Sequence, residues 1–270
     1  MNNHKMTRKA IILAILLAFI SFGAWAQGYR KIDNQAFKRG ERLEFRVFYD
    51  ALLTGKVTAG VAYLEVGKDV VIINDRPAYY VKGEGWSRGA FNFFFKVEDK
   101  FESYFDEQAI IPFRFTRKIR EGGYRKDEDV RFYPMSQTVS YNKKVKRIPP
   151  NVQDVISALY YARTLDFSKA KVGDIFPIPF YLDDSVYTSV VQFKGRETVK
   201  TILGEFRCLK FKPMMATGNV FDDPYPMTLW VTDDKNRLPV LGESAVIIGS
   251  VKMELTSFRN IANPLLSKID

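Results

Sequence analysis

The chain has 270 residues, with 41 Lys and Arg against 31 Asp and Glu, a net charge of +10, one histidine and one cysteine. The histidine, His4, lies in a segment marked for removal, so the remainder has no Ser-His-Asp triad, no Cys-His pair and no histidine-ligated metal. The lone Cys208 excludes an intramolecular disulfide.

Lys5, Arg8 and Lys9 precede an apolar run from Ala10 to about Phe22, and Ala24-Trp25-Ala26 then gives a small-x-small site before Gln27. These are the three parts of a secretory signal peptide, placed over residues 1–26. The run falls short of the roughly 20 residues a bilayer span needs. No cysteine follows it, so the expected product is exported, periplasmic or otherwise outside the cytoplasm, and not a lipoprotein. No later segment is apolar enough to form a transmembrane helix. Removal of three cations and no acid lowers the charge from +10 to +7. Such a balance suits anionic neighbours on the envelope surface, such as lipid head groups or acidic glycans. Nucleic acid is not an expected partner. The one dense basic run, Lys143-Lys144-Val145-Lys146-Arg147, reads as a solvated strand end or loop.

Period-two patterns dominate the remainder of the chain. Leu43, Phe45, Val47 and Tyr49 alternate with polar residues, and Val57, Ala59, Val61 and Tyr63 continue after a Leu53-Thr54-Gly55-Lys56 turn. Phe91, Phe93, Phe95 and Val97 extend the alternation into Phe101 and Phe105, and Ile111, Phe113, Phe115 and Ile119 repeat it. Strict alternation predicts a sheet with one dry face, the property of antiparallel sheets. Glu121-Gly122-Gly123, Gly195-Arg196, Leu203-Gly204 and Asp233-Asp234-Lys235-Asn236 read as short connections between about a dozen strands.

One helix breaks the pattern. Asn151 is placed as its N-cap, with Asp154 in the first turn. Val152, Val155, Ile156, Leu159 and Tyr160 share a face, and Arg163 suits the C-terminal end. The expected fold is all-β: a curved antiparallel sheet, barrel-like or two-layer, with one short helix near residues 152–164, in a single domain over residues 27–270. The helix is expected to plug an end of the sheet or cover one of its faces.

The helix segment Asp154-Val155-Ile156-Ser157-Ala158-Leu159-Tyr160-Tyr161-Ala162-Arg163 resembles a motif of the bacterial family called domain of unknown function 3108. Gly204-Glu205-Phe206-Arg207-Cys208, and Leu229-Trp230-Val231-Thr232-Asp233-Asp234-Lys235-Asn236-Arg237-Leu238-Pro239-Val240, are similar to its later blocks. Gly40-Glu41-Arg42-Leu43 and Gly249-Ser250-Val251 agree at the two ends. The resemblance implies an exported, mostly antiparallel β protein. It implies no activity, and it carries over no catalytic residue.

Three adjacent acid pairs, Asp183-Asp184, Asp222-Asp223 and Asp233-Asp234, invite a glycosidase reading. Neighbours on a strand point to opposite faces, and Asp is a turn former, so these pairs read first as turns and loops. Cys208 fits an alternating strand as a buried thiol. The dense aromatics are more informative. Phe94 and Tyr104 fall opposite the main apolar stripe of their run, which implies either a second packed layer or an apolar binding surface. Ligand-binding residues are accordingly placed at Trp86, Phe94, Tyr104, Tyr161, Arg163 and Trp230. No metal, cofactor or catalytic residue is assigned.

The expected function is a non-enzymatic cell-envelope protein binding an apolar or anionic ligand, lipid-like or glycan. Two alternatives stay open. One is a glycan-active enzyme, either a carboxylate hydrolase or a Tyr/Arg lyase, in which distant acids such as Glu84 or Asp99 converge. The other is a scaffold in an envelope complex.

Overall fold

The alternating segments form strands. The computed structural model describes residues 28–51, 55–214, 227–245 and 250–269. The signal segment over 1–26, and the Asp222-Asp223 pair with its Pro224-Tyr225-Pro226 neighbours, lie outside the described residues. Nine strands precede the expected helix: β1 (Arg42–Ala51), β2 (Gly55–Val66), β3 (Val71–Ile73), β4 (Arg76–Ser87), β5 (Glu98–Asp106), β6 (Pro112–Glu121), β7 (Tyr124–Tyr133), β8 (Thr138–Tyr141) and β9 (Lys144–Arg147). Six follow it: β10 (Ile175–Leu182), β11 (Ser185–Thr201), β12 (Gly204–Pro213), β13 (Met227–Thr232), β14 (Pro239–Ala245) and β15 (Ser250–Arg259).

All belong to one 15-stranded antiparallel sheet in the order β10-β11-β12-β13-β14-β15-β1-β2-β4-β5-β6-β7-β8-β9, with β3 paired to β4 alone. The last strand pairs with the first, so the N-terminal and C-terminal sets join through β15 and β1. The two ends of the sheet, β9 and β10, flank α2 (Val155–Thr164) in the chain.

No ladder joins β9 to β10, yet the ends are drawn together. Gln153 donates its N–H to the Pro179 carbonyl at 2.9 Å and accepts from the Tyr181 N–H at 2.8 Å. At the tip of β10, Lys146 from β9 pairs with Asp184 at 2.5 Å, and Arg117 and Lys126 both pair with Asp183. The fold is thus a curled, barrel-like sheet whose seam is held by one bridging segment and side-chain charges.

Three expectations about local structure change. Residues Gly89–Phe94 form a short helix, α1, not a strand. Phe93 and Phe94 point into solvent at 86 and 82 % exposure. The period-two spacing of Phe91, Phe93 and Phe95 therefore has no sheet face behind it. Gly195-Arg196 is no hairpin connection: it lies inside β11, where the register against β12 shifts between Phe193 and Gly195. Gly195 takes φ +116° there, a conformation costly for any side chain-bearing residue. In β1 a similar shift between Val47 and Phe48 turns Phe48 inward after Leu43 and Phe45.

The interior holds three groups of packed side chains. The first joins Phe37, Val81, Phe105, Phe115 and Phe132 to Ile156 and Tyr160 of α2. The second gathers Leu43, Phe45, Phe206, Cys208, Trp230 and Leu255 around the β15–β1 junction. The third packs Phe167, Phe193, Leu209, Phe211 and Val231.

One polar cluster ties these regions together. Arg163, at 2 % exposure, forms a bidentate pair with the fully buried Glu41 at 2.6 and 2.8 Å. The same guanidinium donates to the Ala36 carbonyl at 3.1 Å and to the Asn236 carbonyl at 3.0 and 3.1 Å. Burial alone would pull the Arg163 pKa down, and the Glu41 carboxylate more than offsets that. Removing one member of such a pair strands a buried charge. Glu41→Ala should therefore lower stability by about 3–5 kcal/mol in urea denaturation. Adding Arg163→Met should recover part of that loss. A cost below ~1 kcal/mol for Glu41→Ala would show that the pair does not hold the helix in place.

Candidate functional site

The site is organised by the start of α2. Asp154, not Asn151, is the N-cap: its Oδ1 accepts from the Ile156 and Ser157 N–H groups, both at 2.8 Å, while Ser157 Oγ accepts from the Asp154 N–H at 2.9 Å. This reciprocal capping box fixes where the helix begins. Asn151 instead sits in the preceding turn with φ +60°. The Ser103 hydroxyl on β5 donates to the other Asp154 oxygen at 2.5 Å and pins the helix start to the sheet.

Moving the cap by three residues changes which faces matter. Ile156, Ser157, Tyr160 and Arg163 point inward and are buried. Val155, Ala158, Leu159 and Ala162 point the other way, toward β10–β13. The expected single stripe of Val155, Ile156, Leu159 and Tyr160 is thus divided between two faces. The outer face is apolar because a second apolar wall stands opposite it.

That wall is built by strand alternation. Ile178, Phe180 and Leu182 of β10, Val191 of β11, Phe211 and Pro213 of β12, and Leu229 and Val231 of β13 face the helix across a cavity of about 540 Å³. The volume lies within the range of small-molecule sites. Leu165, Phe167, Met214 and Met227 complete the apolar lining. The charged residues of the lining are Arg163, Asp183 and Arg237. Arg163 is saturated by Glu41 and two carbonyls. Burial pushes the Asp183 carboxyl up, but Lys126 and Arg117 outweigh it and hold the group below its usual range.

Of the six residues placed by sequence as ligand-binding, Arg163 lines this cavity. Trp230, between Leu229 and Val231, points through to the opposite side of β13, where it is 8 % exposed and its indole N–H donates to Glu197. Tyr161 lies under the Arg30 guanidinium, 4.1 Å from its ring centre. Trp86 packs edge-on against Tyr63 at 6.1 Å, and Tyr104 stacks on Tyr80 at 4.8 Å. Phe94 is on exposed α1. The structure therefore does not gather these six into one place.

Glu84 and Asp99 do not converge with each other, although Asp99 does lie against Glu121, where burial and the Asp99 charge push the carboxyl pKa up. Glu84 accepts from the Tyr63 hydroxyl at 2.5 Å and pairs with Lys82 at 3.3 Å, and Asp99 accepts from the Arg120 N–H at 2.9 Å. Neither belongs to the cavity lining. Asp183-Asp184 is the two-residue turn between β10 and β11, with φ +49° and +60°. Asp234 serves the loop after β13, accepting from Thr232, Asn236 and Ser267. Among the described residues, no group of three or more His, Cys, Asp or Glu is placed to hold a metal, and no helix is long and apolar enough to cross a membrane.

A model of the family described as "Protein of unknown function (DUF3108)" matches residues 44–256. The chain belongs to this family. The matched DUF3108 span contains α2 and all the strands that wall the cavity. Glu41, which neutralises Arg163, lies just before it. Among solved structures, the DUF3108 chain is similar to a β-barrel-like protein of domain of unknown function DUF1849 from Brucella abortus. That likeness has 11 % identity and a TM-score of 0.53, covering 86 % of this chain and 99 % of the other. It shows the barrel-like fold. A protein from Parabacteroides distasonis provisionally classed as a lipoprotein aligns with a TM-score of 0.37 at 11 % identity, covering 86 % of this chain and 100 % of its own. One from Bacteroides fragilis, provisionally classed as exported with a YmcC-like fold, aligns at 0.33 and 12 %, with the same coverage. No curated protein matches the DUF3108 sequence.

The cap that orients the cavity's helical wall also titrates. Burial raises the Asp154 carboxyl from its ordinary value to about 6, against the opposing pull of its bonds to Ser103, Ser157 and Ile156. A folded-state pKa above the unfolded one favours the protonated form in the native protein. This contribution to stability is full below pH ~4 and is lost as pH rises through about 6. Asp154→Asn retains an acceptor for both helix N–H groups, and the Ser103 hydroxyl can turn to accept from the new amide. Relative to the wild type, the variant should gain on the order of 1–3 kcal/mol between pH 4 and pH 7. Urea midpoints at the two pH values test this, and a gap that does not widen with pH would refute it.

Proposed function

We propose that the protein is an exported, non-enzymatic binding protein whose cavity between α2 and β10–β13 holds an apolar small molecule. The observation that carries this reading is the lining: two opposed walls of aliphatic and aromatic side chains around about 540 Å³. Each methylene moved from water into such a space contributes about 0.8 kcal/mol. Ten of them supply on the order of 8 kcal/mol before the costs of ordering are subtracted. Catalysis has no comparable support, since Glu84 and Asp99 stand outside the lining and Asp183 is held by two cations. Export rests on the sequence of residues 1–26 and on the basic balance of the rest. The continuous sheet supports a single domain from residue 27 onward.

The scaffold reading keeps one specific observation: Phe93, Phe94 and Phe95 of α1 and its cap are solvent-exposed side by side. That surface fits a partner, but it is separate from the cavity lining.

Titration with N-phenyl-1-naphthylamine, which fluoresces in apolar surroundings, tests the cavity. The wild type should bind it, and Leu159→Trp, which fills the space from the helix side, should weaken binding at least tenfold with the melting temperature retained. Trp86→Ala, on a side chain outside the lining, should leave it unchanged. Equal binding by wild type and Leu159→Trp would sink the proposal. Export is tested separately: protein recovered from the periplasm of a Gram-negative host should begin at Gln27.

A further inference from the structure

Arg237 is the charged member of the cavity lining that no counter-ion satisfies. Its guanidinium makes one hydrogen bond, from Nη1 to the Arg163 carbonyl at 2.9 Å, and lies 5.5 Å from the ring centre of Phe167, itself a lining residue. Among the described residues no carboxylate comes within ion-pair distance of it. The nearby acids are engaged elsewhere. Asp233 pairs with Arg196 at 3.1 Å, Asp234 holds Thr232, Asn236 and Ser267, and Asp166 accepts from the Ser168 N–H at 2.9 Å. The other two charged lining residues are saturated, Arg163 by Glu41 and Asp183 by Arg117 and Lys126.

Arg237 has φ +47°, in the left-handed region that glycine or asparagine occupies at least cost. Its guanidinium lies near the Phe167 ring, and its Nε and Nη2 donors are unused by the described residues. Its position is not left to the loop alone. The residue before it, Asn236, is fully buried and its carbonyl is gripped by Arg163, while its side chain bonds to the Asn263 and Pro264 carbonyls. Burial also draws the Arg237 pKa downward, although the three surrounding aspartates oppose it.

We infer that the ligand is a single-chain anionic amphiphile whose aliphatic tail fills the apolar cavity and whose carboxylate-type head is received by Arg237. This deepens the cavity-binding reading and rests on it. A guanidinium offers two parallel N–H donors to such a head group, and charge-assisted bonds of this kind are about twice as strong as neutral ones. An uncharged chain of the same length gains the tail's contribution but leaves the cation unmatched.

The discriminating experiment displaces bound N-phenyl-1-naphthylamine with dodecanoate and with 1-dodecanol, for the wild type and for Arg237→Met, which keeps an unbranched apolar stem. The wild type is expected to bind dodecanoate at least tenfold more tightly than dodecanol. Arg237→Met should erase that preference by weakening dodecanoate while leaving dodecanol unchanged, which also reports that the variant's cavity is intact. Equal affinity of the wild type for acid and alcohol overturns the charge assignment and leaves the cavity reading standing. So does an undiminished preference in Arg237→Met. If neither compound displaces the probe, both readings fall. Displacement by phosphatidylglycerol at concentrations where dodecanoate is inert overturns the single-chain assignment. If Arg237→Met does not fold, the ratio of acid to alcohol affinity in the wild type decides by itself.

Discussion

The buried pair between Arg163 and Glu41 is the constraint from which the rest of the molecule takes its geometry. Two ions removed from water are tolerable only when their remaining donors and acceptors are met. Arg163 meets that demand by reaching three separate stretches of chain: the segment at Ala36, the approach to β1 at Glu41, and the loop after β13 at Asn236. Because the cation can be satisfied in one orientation of α2, the helix cannot rotate about its axis. Its inner face is thereby committed to Phe37, Phe105 and the first core group, and its outer face to the cavity. The same grip on the Asn236 carbonyl sets the loop that carries Arg237. A single guanidinium thus positions both a wall of the cavity and the charge at its rim.

The sheet poses the opposite problem, since among the described residues its fourteen-strand path ends in two edges, β9 and β10, that no further strand pairs. An edge strand is a template for unwanted pairing unless something blunts it. β9 is four residues long, with Lys144, Lys146 and Arg147 among its exposed residues. β10 carries Pro177 and Pro179, which remove two donors, and its remaining edge is occupied in part by Gln153. The basic run that reads as a solvated strand end therefore has a second role. Through Lys146 it holds the turn at Asp184 and so ties β9 to the end of β10.

The strand framework was largely legible because alternation survives any error of a residue or two at strand ends. Where it failed, the reason is specific. Phe91, Phe93 and Phe95 keep a two-residue spacing in a segment that forms a short helix, not a strand, and leaves Phe93 and Phe94 in solvent, so pattern and burial part company. The helix was visible but its start was not: Asn151 and Asp154 are both good caps, and only the Ser157 hydroxyl distinguishes them. The ligand site was the least legible part. Its walls depend on which of two alternating sets in β10–β13 faces α2, and Trp230 shows how one position decides between lining and core. Arg163 stood out because a cation ends an apolar helix. Arg237 did not, because it sits among Asp, Lys and Asn that spell a turn, and a positive φ leaves no mark in the sequence.

Cys208 sits at the centre of the second core group with no measurable exposure, and burial raises its thiol pKa to about 12. In the folded molecule it is chemically silent, since the thiolate is the reactive species. It becomes visible only when the β12–β15 region opens, and because it is the sole cysteine, any adduct reports that one event. The chain therefore carries its own clock for unfolding, readable by thiol labelling without any added tag. In oxidising surroundings the same residue makes each opening hazardous, because two opened copies hold one thiol each and the bond they form joins one chain to another.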